Sequence, residues 1–291
     1  MTAFVHWVLA QRYRLILLAV ALAPILPLGT AALMTLETSQ RGVVQGLSSA
    51  AIAVAGIIVL ALVAGASMSV LGAIGTASLF AGVGMGAQLR WADSLALGFQ
   101  ATLLVCVLAV VVFTLVGPDS TTLFGPLLDQ LAQVLRQRGA TDAEIAEVSQ
   151  WHGVLLGLAA AAAFAQLAAA MLLGYWWSSL LRERGSFGRQ FRALKLGKVL
   201  GVPATLLVAL GLVLNAPAVQ NLAPLALFAF WFQGLAVVHA WAHARHWHPA
   251  LLIPVYALLI TPLTGIVILG LSAVGLVDNW FDLRRPLQPR E

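Results

Sequence analysis

His239 and His243 stand four residues apart, a spacing that puts two imidazoles on one helix face, where they can share a metal ion. His246 and His248 follow just beyond. No cysteine or carboxylate nearby completes a ligand set, and Trp241, Arg245 and Trp247 are interleaved among the histidines. That mixture suits a helix end at a membrane interface equally well. His239 and His243 are thus metal candidates only, and the expectation is no metal and no other cofactor.

The carboxylates are the next groups able to do chemistry. They are Glu37, Asp93, Asp119, Asp129, Asp142, Glu144, Glu147, Glu183, Asp278, Asp282 and Glu291, and each sits at or beyond the end of an apolar run. A charge at the centre of a bilayer costs roughly 2.5–3.5 kcal/mol on insertion scales, so lipid enforces such a distribution. A proton pump or ion-coupled carrier usually keeps an acid at mid-membrane depth, and no residue here is expected there. Nor does the chain contain a Walker loop, a Gly-x-Ser-x-Gly elbow or a His-Glu-x-x-His pair. It is therefore expected not to be an enzyme. Asp278 is the deepest carboxylate of its segment and is expected to satisfy a helix N-terminus or a basic residue. Asp282 is expected to pair with Arg285, three residues on.

These groups must be positioned by membrane helices. The hydrophobic fraction is 61% and the charged fraction 9% over 291 residues, with a mean hydropathy of +0.94. Soluble domains carry about 25% charged residues. The fold class is all-α: a polytopic transmembrane helix bundle, one integral membrane domain over residues 1–291. A spanning helix needs about 20 apolar residues. The apolar segments are Leu15–Leu36, Ser48–Gly65, Val70–Ala87, Ser94–Val116, Val154–Leu181, Val199–Leu214, Leu222–Ala242 and Leu251–Val277, eight in all, with the second and third split near Gly65-Ala66-Ser67. The first is too long for the apolar core of a cleavable signal and reads as an uncleaved segment. Cys106, the only cysteine, lies in an apolar run as a small core residue and excludes an intramolecular disulfide.

Gly82 and Gly86 form a small-xxx-small pair for close helix packing or for lining a cavity. Between residues 119 and 151 an amphipathic pattern predicts an outer helical collar. Phe124, Leu127, Leu128, Leu131, Val134 and Leu135 lie on one side, and Asp129, Gln130, Gln133 and Arg136 on the other. Gly139 ends this helix, and Thr141 with Glu144 forms a capping box opening a second one that continues into the Val154 segment. The collar either packs on the bundle or lies in the membrane interface, and the functional alternative is a gate over a cavity.

Residues 182–198 hold the strongest basic cluster, Arg182, Arg184, Arg189, Arg192, Lys195 and Lys198, and so form a cytoplasmic loop. The collar, rich in carboxylates, then lies outside. Simple counting of crossings would put the basic termini outside as well. Paired prolines interrupt both terminal segments, Pro24 with Pro27 and Pro254 with Pro262, so broken or hairpin-like segments with both termini cytoplasmic are expected. Phe187, Phe191 and Leu194 recur opposite Arg189, Arg192 and Lys195, as in a helix lying on an anionic leaflet, behind the interfacial pair Trp176 and Trp177. A docking surface for a cytoplasmic partner fits the same pattern.

Three stretches together resemble a known family. They are Trp176-Trp177 with Gly185 to Leu196, Gly234 to His239, and Gly275 to Arg285. This half of the chain is similar to the YybS-like bacterial inner-membrane proteins, a family of unknown function. Arg41-Gly42 with Gly46 extends the likeness weakly into the first half. The pattern departs at Ser186, where the family tends to have a second glycine, and at Gln190, where it tends to have glutamate. The family is distantly similar to the substrate-capturing subunits of energy-coupling-factor vitamin transporters, a fold-level analogy. The resemblance implies a multi-pass protein of the bacterial inner membrane, with binding residues among Trp176, Trp177, Gly185, Phe187, Phe191, Arg192, His239 and Asp278. The expected function is a transport-related membrane subunit that binds an unknown small molecule and is energised by a partner. The alternative is a non-catalytic membrane scaffold or assembly factor. Expected partners are the lipid bilayer and a protein docking through 182–198, with no nucleic acid.

Overall fold

The computed structural model describes residues 1–64, 69–149, 151–183, 185–214 and 216–285. The expected split at Gly65-Ala66-Ser67 lies outside them, as do Arg184, Arg290 and Glu291. The described chain is all-α, with no strand among the described residues. Its helices are α1 (Thr2–Ala10), α2 (Arg12–Leu22), α3 (Pro27–Arg41), α4 (Val43–Ala64), α5 (Ser69–Ala92), α6 (Leu95–Val116), α7 (Ser120–Gln137) and α8 (Asp142–Ser149). Then come α9 (His152–Arg182), α10 (Ser186–Arg192), α11 (Gly197–Gly211), α12 (Pro217–Ala244), α13 (Ile253–Leu258) and α14 (Thr264–Phe281). A 3-10 turn, Pro249–Leu252, precedes α13.

Among the described residues, five helical stretches are long and apolar enough to cross a membrane: Val43–Val63, Leu95–Val116, Gly153–Arg182, Pro217–Ala244 and Thr264–Phe281. Two sharply bent pairs, α1 with α2 and α10 with α11, raise the number to seven if each is one span. That is the mark of a multi-pass membrane protein, with five to seven crossings by length and composition against eight apolar segments in the sequence. Large apolar side chains on these stretches are exposed, among them Leu62, Leu108 and Ile266, as contact with lipid requires.

The helices divide into two compact units, Met1–Thr102 with Ala165–Leu194, and Leu103–Phe164 with Lys195–Glu291. In the first, α3 is the most enclosed element: every residue from Gly29 to Ser39 is buried. Pro27 opens it at a position that needs no amide hydrogen. Small residues on its neighbours let their backbones approach. A Cβ on Gly86 would lie 2.7 Å from the Thr35 carbonyl oxygen, and one on Gly174 would lie 2.8 Å from that of Ala32. A Cβ on Gly82 would overlap the Ala31 carbonyl oxygen, and the Thr35 hydroxyl donates to the Gly82 carbonyl at 3.2 Å. The contact of α5 with α3 is therefore backbone against backbone.

In the second unit α12 and α14 cross in the same way, with the glycines reciprocal. A Cβ at Gly234 would overlap the Leu271 carbonyl, and one at Gly275 would overlap that of Phe230. The Ser272 hydroxyl ties the crossing by donating to the Leu227 carbonyl at 2.9 Å. The breaks at the prolines are local. No helix runs through 23–26, which hold Pro24, and none through 259–263, which hold Pro262.

Candidate functional site

The stretch from Gly275 to Arg285 holds the end of α14, and its chemistry is a polar network in the second unit. The Asp278 carboxylate is fully buried and accepts from Arg284 twice, Nε to Oδ1 at 3.1 Å and Nη2 to Oδ2 at 2.6 Å. The Gln233 amide of α12 donates to Asp278 Oδ2 at 2.7 Å, while its own carbonyl oxygen accepts the Leu196 backbone N–H at 3.0 Å. Asn279 donates to the Gly197 carbonyl at 3.2 Å, and the Trp280 indole to the Thr205 hydroxyl at 3.1 Å. One buried carboxylate thus fixes the C-terminal segment, the middle of α12 and the chain entering α11. Asp278 meets a basic residue, as its depth implied. Asp282 instead pairs with Lys195 at 3.3 Å, because it adopts a left-handed conformation, φ 50°, that ends α14. This replaces the expected pair with Arg285.

The first unit carries a polar end of its own. Tyr175, Ser178, Ser179 and Arg182 repeat at i, i+3, i+4 and i+7 along α9, one helix face. Ser186, Arg189 and Gln190 repeat the same pattern on α10. With Asp93 and Glu183 these two faces line a cavity of about 170 Å³. Each lining residue carries a polar group, and the Tyr175 ring adds an apolar wall. Gln190 is the organiser. Its carbonyl oxygen accepts the Leu95 N–H at 2.7 Å, capping α6, and its amide donates to the Asp93 carbonyl at 3.1 Å. A glutamate at 190 would supply the first bond and not the second, so the amide ties both groups. Arg182 donates to the Ser39 carbonyl at 2.8 Å and reaches Asp93 at 3.7 Å.

The first unit also encloses Glu37, fully buried four residues before the basic Arg41. Its Oε1 accepts the Ser49 hydroxyl at 2.9 Å and faces Arg41 at 3.5 Å, while Arg12 donates to Ser49 at 2.8 Å. Its Oε2 has no hydrogen-bond partner. The acid placed by sequence at the edge of an apolar run is thus inside the protein rather than in solvent.

The amphipathic stretch after α6 forms α7 and α8, two helices packed on each other. Leu128 and Ile145 are buried, and Leu123, Leu127, Leu131 and Val134 form an exposed apolar stripe. Gly139, at φ +86°, turns the chain where an L side chain is strained. The capping box forms as its spacing predicts, with Glu144 accepting from the Thr141 N–H at 2.7 Å and from its hydroxyl at 2.9 Å. Helix α8 stops at Ser149 and α9 starts at His152, so the expected continuation is interrupted. A cleft of about 500 Å³ lies between α7 and α8, lined by Leu128, Ala132, Ile145 and Ala146 together with Asp129, Gln133, Arg136 and Asp142.

Of the expected binding residues, Trp176, Trp177, Gly185, Phe187, Phe191 and Arg192 belong to the first unit, and His239 and Asp278 to the second. Trp177 is buried beside Phe4, centroids 5.7 Å apart. The Trp176 carbonyl accepts the Ser179 hydroxyl at 2.7 Å. Gly185 precedes α10 at φ +89°. Phe187 stacks on Phe191 at 5.8 Å, and Phe191 and Leu194 are buried. Helix α10 ends at Arg192, so the expected amphipathic helix through Lys195 is cut short, and Arg192 is half-buried. His239 spends both ring nitrogens, Nδ1 on the Leu235 carbonyl at 2.9 Å and Nε2 on the Tyr256 hydroxyl at 3.0 Å. Among the described residues no group of three or more His, Cys, Asp or Glu could hold a metal.

Sequence reasoning missed Gln233, Arg284 and the serine face of α9. Gln233 carried a signal: a lone amide inside an apolar run must find a partner. The fold and this polar framework define a multi-pass α-helical membrane protein. No known protein family, curated protein or solved structure matches the chain.

Proposed function

We propose that this protein is a small-solute-binding subunit of a bacterial inner membrane, non-catalytic itself and energised by a partner. The observation that carries this reading is the α7–α8 cleft. Its size falls within the roughly 300–1,000 Å³ of ligand pockets, and its lining combines an apolar floor with a few charged and amide groups able to orient a solute. On this reading the collar lies outside and both termini are cytoplasmic. The proposal is tested by purifying the tagged protein in mild detergent and identifying retained small molecules and co-purifying proteins by mass spectrometry. A retained metabolite lost on filling the cleft with Leu128→Trp, together with a recovered ATPase or membrane coupling protein, is the expected result. An empty cleft, with only unrelated proteins recovered, rejects it.

The second reading is a membrane scaffold, favoured by one observation. The basic segment 182–198 is fixed by Gln190 in the first unit and by Lys195 and Leu196 in the second, while Arg189 and Lys198 stay exposed. A partner lost on Arg189→Glu with Lys198→Glu, in a protein that retains no solute, would favour it.

A further inference from the structure

We infer that the polar cavity of the first unit, apart from the α7–α8 cleft, binds a small zwitterion carrying an ammonium and a phosphate on a short linker. In a chain with 9% charged residues, a cavity of about 170 Å³ with four charged side chains among its nine lining residues, the Tyr175 ring being one of the others, is a built feature. Its volume equals that of about five or six waters, enough for a polar head group and too little for a nucleotide. Its charges come in two signs. Arg182 and Arg189 offer guanidinium forks suited to a phosphate, and Asp93 and Glu183 offer carboxylates suited to an ammonium.

The walls are already organised. Ser178 and Ser179 are buried, and their hydroxyls are held by Ser39 at 3.3 Å and by the Trp176 carbonyl at 2.7 Å. The charged groups at the mouth pair with one another: Arg189 bonds to Glu183, both more than half exposed, and Arg182 and Asp93 stand 3.7 Å apart, with side chains 43% and 74% exposed. Such a pair yields to a ligand at little cost, since exposed ion pairs contribute only about 0–1 kcal/mol. The equal count of acids and bases distinguishes this cavity from an anion site. The unit as a whole is basic, eight Arg against three acidic residues, so an anion-selective pocket here would have no use for two lining carboxylates.

The source of the zwitterion is either a phosphatidylethanolamine head group or a free phosphoethanolamine-like solute, and one experiment separates them. The intact protein in mild non-ionic detergent is titrated with short-chain phosphatidylethanolamine, phosphatidylglycerol and free phosphoethanolamine, and bound species are counted by native mass spectrometry. Asp93→Asn and Arg189→Ala are compared with the parent. Asparagine tolerates the left-handed backbone of Asp93, φ 43°, and Arg189 is 57% exposed at its side chain, so both variants keep the fold. Zwitterion binding weakened about fivefold by each variant is expected. Binding of the lipid alone assigns the membrane source, and competition by the free head group assigns the soluble one. Equal binding of phosphatidylglycerol with no loss in Asp93→Asn overturns the proposal in favour of a simple anion site. Absence of any zwitterion binding overturns it outright.

Discussion

Replacing Asp278 tests whether the second unit is held by its buried ion pair. Asp278→Ala takes the carboxylate from two groups at once, the Arg284 guanidinium, whose side chain is 10% exposed, and the Gln233 amide. Breaking a buried pair by removing one partner costs about 3–5 kcal/mol, because the other charge stays behind without its counter-ion. For a chain of this size that is a fall in Tm of roughly 6–20 °C, at about 2–4 °C per kcal/mol. Replacing both charges by apolar groups, Asp278→Leu with Arg284→Met, removes the cation as well and leaves one unpaired amide on Gln233, worth about 1–3 kcal/mol. The double variant is therefore expected to melt above Asp278→Ala although it carries more substitutions. Melting is followed by the fluorescence of the tryptophans in a single detergent at fixed pH, with Arg284→Met completing the cycle. Additive effects of the two single changes, or an Asp278→Ala protein that melts with the parent, refute the reasoning.

Three other outcomes follow from the geometry. Gln190→Glu keeps the acceptor for the Leu95 N–H and loses the donor to the Asp93 carbonyl, at a cost of about 1 kcal/mol; hydrogen exchange should rise at 93–94 while the Leu95 amide stays protected. Gly86→Ala should destabilise by roughly 1–3 kcal/mol through overlap with the Thr35 carbonyl, whereas Gly84→Ala, facing open space, should be neutral or stabilising by about 0.5–1 kcal/mol, as thermal melts of the pair would show. The Glu144 carboxyl is held below the ordinary carboxylate range by the Thr141 backbone N–H and then by the Thr141 hydroxyl. A depressed pKa stabilises the folded form above the ordinary carboxylate pKa and loses that stabilisation as pH falls through the lowered value. Amide exchange in 141–149, corrected for intrinsic rate, should therefore accelerate only on acidification, and Glu144→Gln should weaken this dependence.

The sequence made some features legible because they depend on neighbours along the chain. The capping box of Thr141 with Glu144, the stop at Gly139 and the proline breaks are set within a few residues, and each occurs where its residues predict. The Asp282–Arg285 expectation failed for a non-local reason: the left-handed turn at Asp282 points the carboxylate at Lys195, 87 residues earlier. Gln233 and Asp278 lie 45 residues apart, and no periodicity connects them. The serine face of α9 was readable as a spacing, i, i+3, i+4, i+7, and was hidden because serines are ordinary in membrane helices. Glu37 shows the limit of hydropathy. Hydropathy puts this carboxylate at the end of an apolar run and is silent on its burial, whereas the enclosed packing of α3 puts it inside.

The bond between Arg284 and Asp278 spans only six residues, with one tight turn between them. A ribosome making this protein releases the acid and its counter-ion within moments of each other, so the last helix can reach the membrane already neutralised. Partition into lipid then need not wait for α12 to be in place. Of the acid's own contacts only that with Gln233 then remains to be found, and finding it reports that α14 has met α12 in the proper register. A truncation that removes Arg284 would leave the acid exposed at that moment, and so would act on insertion and quality control before any finished structure exists to be weakened.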